Sequence, residues 1–264
     1  MDIRGKAVVV TGAGADGSGR AIALRFAREG ALVVVSDIDE AGGHETVRLI
    51  ESAGGRAAFC PADVRKEEQV RNLLGFAEKT FGGLAVLVNN ASGPDIVPGE
   101  PLEHWTDNFP TDVFGTMYGT RLAIDALRRG GGGAIVNMTS ITGLWHGRKN
   151  PVPGYDLAKA AVIRLTTALA WLGPKENIRV NCLAPGWIAS QHVRTYWESL
   201  TPEQRQERNV PARLLSLDEV AAAVFRLATD DALAGRVLVW WSEDSPGLIP
   251  ANDRGYAALE SVAI

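Results

Sequence analysis

The chain has 264 residues, 46% hydrophobic and 22% charged, a globular composition that excludes an intrinsically disordered chain. Against 31 Asp and Glu stand 27 Lys and Arg, for a formal net charge of −4; with no long basic block, nucleic-acid and membrane-surface binding are disfavoured. A chain of this length fits one large α/β domain and can bury about 70–75% of its unfolded surface, so it needs no disulfide or metal to fold.

Short apolar runs recur at 7–10, 32–35, 57–60, 84–88, 134–138, 179–183 and 237–240. Runs of this kind read as strands buried on both faces of a parallel sheet. Helical periodicity lies between them, as in Val70, Leu73, Leu74, Ala77 and Phe81, and in Ala158, Ala161, Val162, Leu165, Leu169 and Leu172. The alternation predicts a single-domain, doubly wound parallel sheet of about seven strands with helices on both faces. The segment 187–216 is polar and carries no strand run. It follows the sixth strand, where ligands bind in such sheets, and reads as a substrate lid rather than a plain surface excursion. Cys60 and Cys182 sit apart in apolar runs and read as reduced, buried thiols, and no Cys/His cluster has zinc spacing. The apolar run at 7–10 is too short for a signal-peptide core, so a cytoplasmic protein is expected.

The first strand leads into Thr11-Gly12-Ala13-Gly14-Ala15-Asp16-Gly17-Ser18-Gly19-Arg20. Gly12, Gly14 and Gly17 have dinucleotide-loop spacing, and the following helix would aim its amides at a pyrophosphate. The second strand ends at Asp37, about 20 residues on, where an acid can bind the adenosine ribose hydroxyls. With no Lys or Arg between Thr11 and Gly19, a 2′-phosphate has no counter-charge, so NAD is expected over NADP. Asp37 as a helix cap is the plainer alternative. Tyr155 and Lys159 stand four apart and share a helix face. There the ammonium can stabilise a phenolate and make Tyr155 a general acid/base. Ser140 follows the fifth strand at the same sheet edge, where it could equally be a turn serine.

In this order the motifs resemble the short-chain dehydrogenase/reductase family, in its short single-domain branch, from Lys6 to about Val239. Gly12, Gly17 and Gly19 resemble the family's cofactor loop, and Asp63-Val64 its adenine-contacting pair. Asn89-Asn90-Ala91 resembles the segment supporting the central strand, with the Asn90 backbone at the cofactor. Ser140, Tyr155 and Lys159 match the catalytic residues. Pro185-Gly186-Trp187-Ile188 resembles the sixth-strand exit, where Pro185 and Ile188 would meet the nicotinamide, and Ser190 stands where Thr is usual.

Four places depart from the family pattern. The glycine turn has one extra residue, Asn-Asn-Ala-Gly becomes Asn89-Asn90-Ala91-Ser92-Gly93, and the last strand continues into Trp240-Trp241-Ser242-Glu243. The family's fourth-helix Asn falls on Asp112, whose carboxylate would offset part of the Lys159 field, with Pro110 favouring a local kink.

The resemblance implies an NAD-dependent oxidoreductase moving a hydride to or from a secondary alcohol or ketone. Ser140 would bond the substrate oxygen and Tyr155 move its proton, and Lys159 would support Tyr155 and bind the nicotinamide ribose. Tyr155 and Lys159 would thus also touch the cofactor, and Asp112 would join the catalytic set. It also implies a homo-oligomer, dimer or tetramer, with no nucleic-acid or membrane partner. An NAD-binding regulatory or scaffold protein of the same fold, or a methyltransferase with a similar turn, would share parts of the pattern. Trp145, His146, Trp187, Tyr196 and Trp197 fall in pocket or lid segments and leave the substrate open.

Overall fold

Each of the seven apolar runs forms a strand in the computed structural model, which describes residues 1–94, 101–146 and 151–251. The strands are β1 (Ala7–Thr11), β2 (Leu32–Ser36), β3 (Arg56–Phe59), β4 (Val86–Asn89), β5 (Gly133–Met138), β6 (Ile178–Pro185) and β7 (Val237–Trp240). They are parallel, in the order β3-β2-β1-β4-β5-β6-β7. A two-residue strand, β8 (Gly247–Leu248), adds antiparallel to β7. It is too short to show any period, so the sequence carried no signal for it.

Alternate strand residues face opposite sides. Val8, Val10, Val33, Val35, Val86 and Val88 join one core with Ile22 and Phe26 of α1 (Ser18–Arg28), Ile50 of α2 (Glu40–Ser52) and Leu227 of the last helix, 217–229. Val9, Val34, Leu87 and Ile135 join the other, under α3 (Glu67–Phe81) and α4 (Thr116–Arg129). That two-sided burial is why the strands lack polar alternation. The helix α5 (Pro153–Ala168) stops short of the predicted periodicity, and Leu172 opens the short α6 (Leu172–Glu176). Pro174 lacks the N–H that one continuous helix would donate to Ala170.

The chain builds outward from β1 to β3 and then crosses back to β4, so the topological switch lies between β1 and β4. Ligands in such sheets sit at the carboxyl ends of the strands there. A buried polar seam holds α5 against this edge. Asn89 Nδ2 donates to Asn137 Oδ1 at 2.8 Å, and Asn137 Nδ2 donates to Thr166 Oγ1 on α5 at 3.0 Å. Thr139 Oγ1, just past β5, donates to the Lys159 carbonyl at 2.7 Å. The segment 187–216 folds into α7 (Gln191–Glu198) and α8 (Pro202–Arg208) on a stem where Ile188 bridges Leu215 in parallel. The helix α9 (Leu217–Thr229) follows. Among the described residues no helix is long and apolar enough to cross a membrane.

Candidate active site

The glycine turn is held from β4. Thr11 Oγ1 accepts the N–H groups of Asn90 and Ala91 at 3.1 and 3.2 Å. The Asn90 side chain donates to the carbonyls of Thr11 and Gly12, each at 3.0 Å, and accepts from Ser18 Oγ at 2.8 Å. Asn90 thus acts on the turn through its side chain. Gly12 has φ +64°, and a Cβ there would lie 2.7 Å from the Ala91 Cα. A side chain is excluded on both counts.

Gly17 differs, with nothing within 4 Å of where its Cβ would sit. It precedes α1, whose first turn carries no acidic residue and whose N-terminus has no side-chain cap. The space and the uncapped amides fit a pyrophosphate. The turn faces the 187–216 segment across an open cleft of about 720 Å³, lined by Ala15, Asp16, Ser190, His192 and Tyr196. The extra residue of the turn places Asp16, exposed, in that cleft.

Asp37 leaves β2 and turns into the glycine loop. Its Oδ2 accepts the Gly14 N–H at 2.7 Å and its Oδ1 the Asp39 N–H at 3.0 Å. The residue that caps α2 is Asp39, through the Gly42 N–H. Arg20, one residue past Gly19, donates to the Gly14 carbonyl and to Thr46 Oγ1, the latter at 2.9 Å. Asp63 accepts Arg65 in bidentate fashion, both contacts 2.8 Å, and this guanidinium holds its carboxyl below the ordinary range. Val64 packs against Gly115.

Ser140 is buried and caps a short turn, Ile141–Gly143, accepting the Thr142 N–H at 3.2 Å. The plain reading of a turn serine therefore holds, and its own hydroxyl proton stays free to donate. Tyr155 and Lys159 share a face of α5, with Lys159 Nζ 5.1 Å from the Tyr155 ring centroid. Asp112 lies on a wide π-type turn, Phe109–Gly115, that contains Pro110 and leads into α4. Its side chain is fully buried and Oδ2 faces Lys159 Nζ at 3.4 Å, an ion-pair contact rather than a formed hydrogen bond. The shifted Gly93 donates its N–H to Asp112 Oδ1 at 2.9 Å. Two departures from the family pattern are thus physically joined.

Pro185 closes β6, paired with Trp240, and Ile188 bridges Leu215 at the base of the 187–216 segment. Trp197 belongs to the internal packing of the 187–216 segment. Its Nε1 donates to the Pro211 carbonyl at 2.8 Å and the Arg205 guanidinium lies 3.4 Å over its ring. His146 is exposed. Cys182 is buried, which pushes its thiol up to about 12, and half-buried Cys60 is raised for the same reason. Sequence reasoning missed Thr11 and Arg20 as organisers of the turn. A strand-terminal Thr and a basic residue directly after the last glycine were the available signals.

The family model for short chain dehydrogenases matches residues 6–201. An uncharacterized oxidoreductase of Thermotoga maritima is 36% identical over 88% of this chain and 93% of its own. Glucose 1-dehydrogenase 2 of Bacillus subtilis is 35% identical over 88% and 90%. A solved structure of a 7α-hydroxysteroid dehydrogenase with NADH and 7-oxo glycochenodeoxycholic acid superposes with a TM-score of 0.78. It is 31% identical over 90% of this chain and 93% of that one.

Proposed function

Since the chain belongs to the short-chain dehydrogenase/reductase family of nicotinamide-dependent oxidoreductases, we propose that it uses NAD to interconvert a secondary alcohol and a ketone. The observation that carries this reading is the placement of Lys159 Nζ over the Tyr155 ring, with the Lys159 backbone tied to Thr139 beside Ser140.

A bound nicotinamide supplies or accepts the hydride. Ser140 donates a hydrogen bond to the substrate oxygen and steadies charge growing there. Tyr155 gives its phenol proton to that oxygen in reduction, and as phenolate takes the alcohol proton in oxidation. Lys159 supports the phenolate and binds the nicotinamide ribose. Asp112 is a positioning residue that holds the Lys159 ammonium from below. Gly12, Gly17, Gly19 and Asn90 shape the phosphate site, Asp63 and Val64 flank the adenine, and Pro185 and Ile188 border the nicotinamide. The segment around 187–216 closes over the substrate.

Asp37 supports NAD over NADP, since its carboxylate repels a 2′-phosphate. Arg20 is engaged with Gly14 and Thr46 and offers no ready counter-charge. Phe114, Met117 and Leu157 are exposed on the neighbouring π-turn, α4 and α5, an apolar surface suited to a homo-oligomer.

Titration of the protein with NAD and NADP, followed by NADH formation from 2-butanol, tests the reading. Tighter NAD binding together with turnover is expected, and equal affinity for the two cofactors would contradict the NAD assignment. The buried Asp112 carboxylate beside Lys159 favours one second reading, an NAD-binding protein with little turnover, which would bind NAD and form no NADH.

A further inference from the structure

Two pairs of aromatic rings lie past the carboxyl ends of β5, β6 and β7, and the hydride step uses none of them. Trp145 closes the turn that begins at Ser140, its N–H donating to the Ile141 carbonyl at 3.0 Å. Its ring stands edge-on to Trp241, centroids 5.4 Å apart at 82°. Trp241 follows β7 and lies against Gly186, where a Cβ would come within 3.2 Å of Trp241 Cε3. Next to Gly186 is Trp187, whose ring stacks on Tyr196 of α7 at 6.0 Å and 23°. The two ring pairs thus lie on either side of Gly186, one at the Ser140 turn and one at α7, and together form an interrupted wall. Trp145 is 38% exposed and Tyr196 41%, so ring surface remains open beside the site.

Among the described residues, three polar groups just past β7 are engaged within the protein. Ser242, fully buried, accepts the Trp187 N–H on its Oγ at 3.1 Å. Glu243 accepts the Ala212 N–H, and Trp240 Nε1 donates to the Asp244 carbonyl at 3.1 Å. A polyol would need a partner for each hydroxyl it brings out of water. Flat ring surface gains from both apolar burial and ring geometry.

We propose that the substrate is a largely apolar, ring-bearing secondary alcohol or ketone. Its ring lies along Trp145 and Trp187 while its reacting oxygen meets Ser140 and Tyr155. This assignment rests on the dehydrogenase reading above.

The test is a panel of 1-indanol, 2-butanol and glucose with NAD, together with tryptophan quenching by 1-indanone in the presence of NADH. 1-Indanol should exceed 2-butanol in kcat/KM by about a hundredfold and glucose should fall below both. Trp145→Ala should cut the 1-indanol preference about tenfold, whereas Trp145→Phe should hold it within about threefold. A ratio near unity, a preference for glucose, or a preference untouched by Trp145→Ala would overturn the proposal. Saturable quenching by 1-indanone with no turnover of any alcohol would support the ring site and contradict the dehydrogenase reading. Turnover of 2-butanol without ring preference would do the reverse.

Discussion

On the β1–β4 side of the sheet's carboxyl edge, hydrogen bonds hold the backbone in place; on the β5–β7 side, rings lean on rings. Asn90, Thr11, Asp37 and Arg20 fasten the glycine turn to its neighbours through named donors and acceptors. Across the edge, Trp145 meets Trp241 edge-on and Trp187 stacks on Tyr196. Directional bonds demand particular residue types at particular places, whereas ring contacts tolerate many arrangements. The residues that match the family's cofactor loop lie on the first side, and the rings proposed to meet the substrate lie on the second.

Between the two lies Tyr155, and removing its hydroxyl separates them most sharply. Tyr155→Phe should lower turnover by about 10²–10⁴-fold while NAD affinity, measured by fluorescence titration, stays within a few-fold. Turnover kept within a few-fold would place the proton path elsewhere.

Asp112 is the next lever. Asp112→Ala leaves the buried Lys159 ammonium without its partner and should cost about 3–5 kcal/mol of stability, read by denaturant unfolding. Asp112→Asn keeps an acceptor for the Gly93 N–H and should recover much of that loss. It also removes the charge opposing Lys159, so the alkaline rise of alcohol oxidation should begin at lower pH than in the parent. Superimposable pH–rate profiles would retire the charge argument.

On the hydrogen-bonded side, Asn90→Ala strips partners from two carbonyls and the Ser18 hydroxyl, at about 1–3 kcal/mol for each group left unsatisfied. Melting temperature should fall and NAD binding weaken, and unchanged NAD affinity would show that the turn holds itself. Asp37→Ala removes both the repulsion of a 2′-phosphate and the Gly14 anchor. The NAD-to-NADP affinity ratio should shrink by about tenfold, roughly 1.4 kcal/mol. The smallest effect is expected at Asp16, exposed in the cleft beside the glycine turn. Asp16→Ala should tighten NAD binding by about two- to threefold at low salt, with the gain fading as salt screens the charge.

Much of this was legible in the residues. The seven apolar runs became seven strands because two-sided burial leaves only apolar residues in the central ones, and the order of Gly12, Asp37, Ser140, Tyr155 and Lys159 marked one edge of one sheet. Other features depended on tertiary contact. Nothing local says that Trp197 packs on Arg205 within 187–216 while Trp187 stacks on Tyr196, since each choice depends on a ring or guanidinium brought in by the fold. The link from Gly93 to Asp112 spans 19 residues, and neither residue announces the other. Helices α7 and α8 are too short for periodicity to single them out.

Deuterium transfer reads the hydride and proton steps at Tyr155 in one measurement. The protein is given NADH carrying deuterium at the transferring position, with 1-indanone or 2-butanone, and the alcohol formed is read by mass spectrometry. Deuterium is expected on the carbinol carbon, formed by the parent protein and at least about a hundredfold more slowly by Tyr155→Phe. Alcohol without deuterium, or transfer at the parent rate in Tyr155→Phe, would contradict this mechanism.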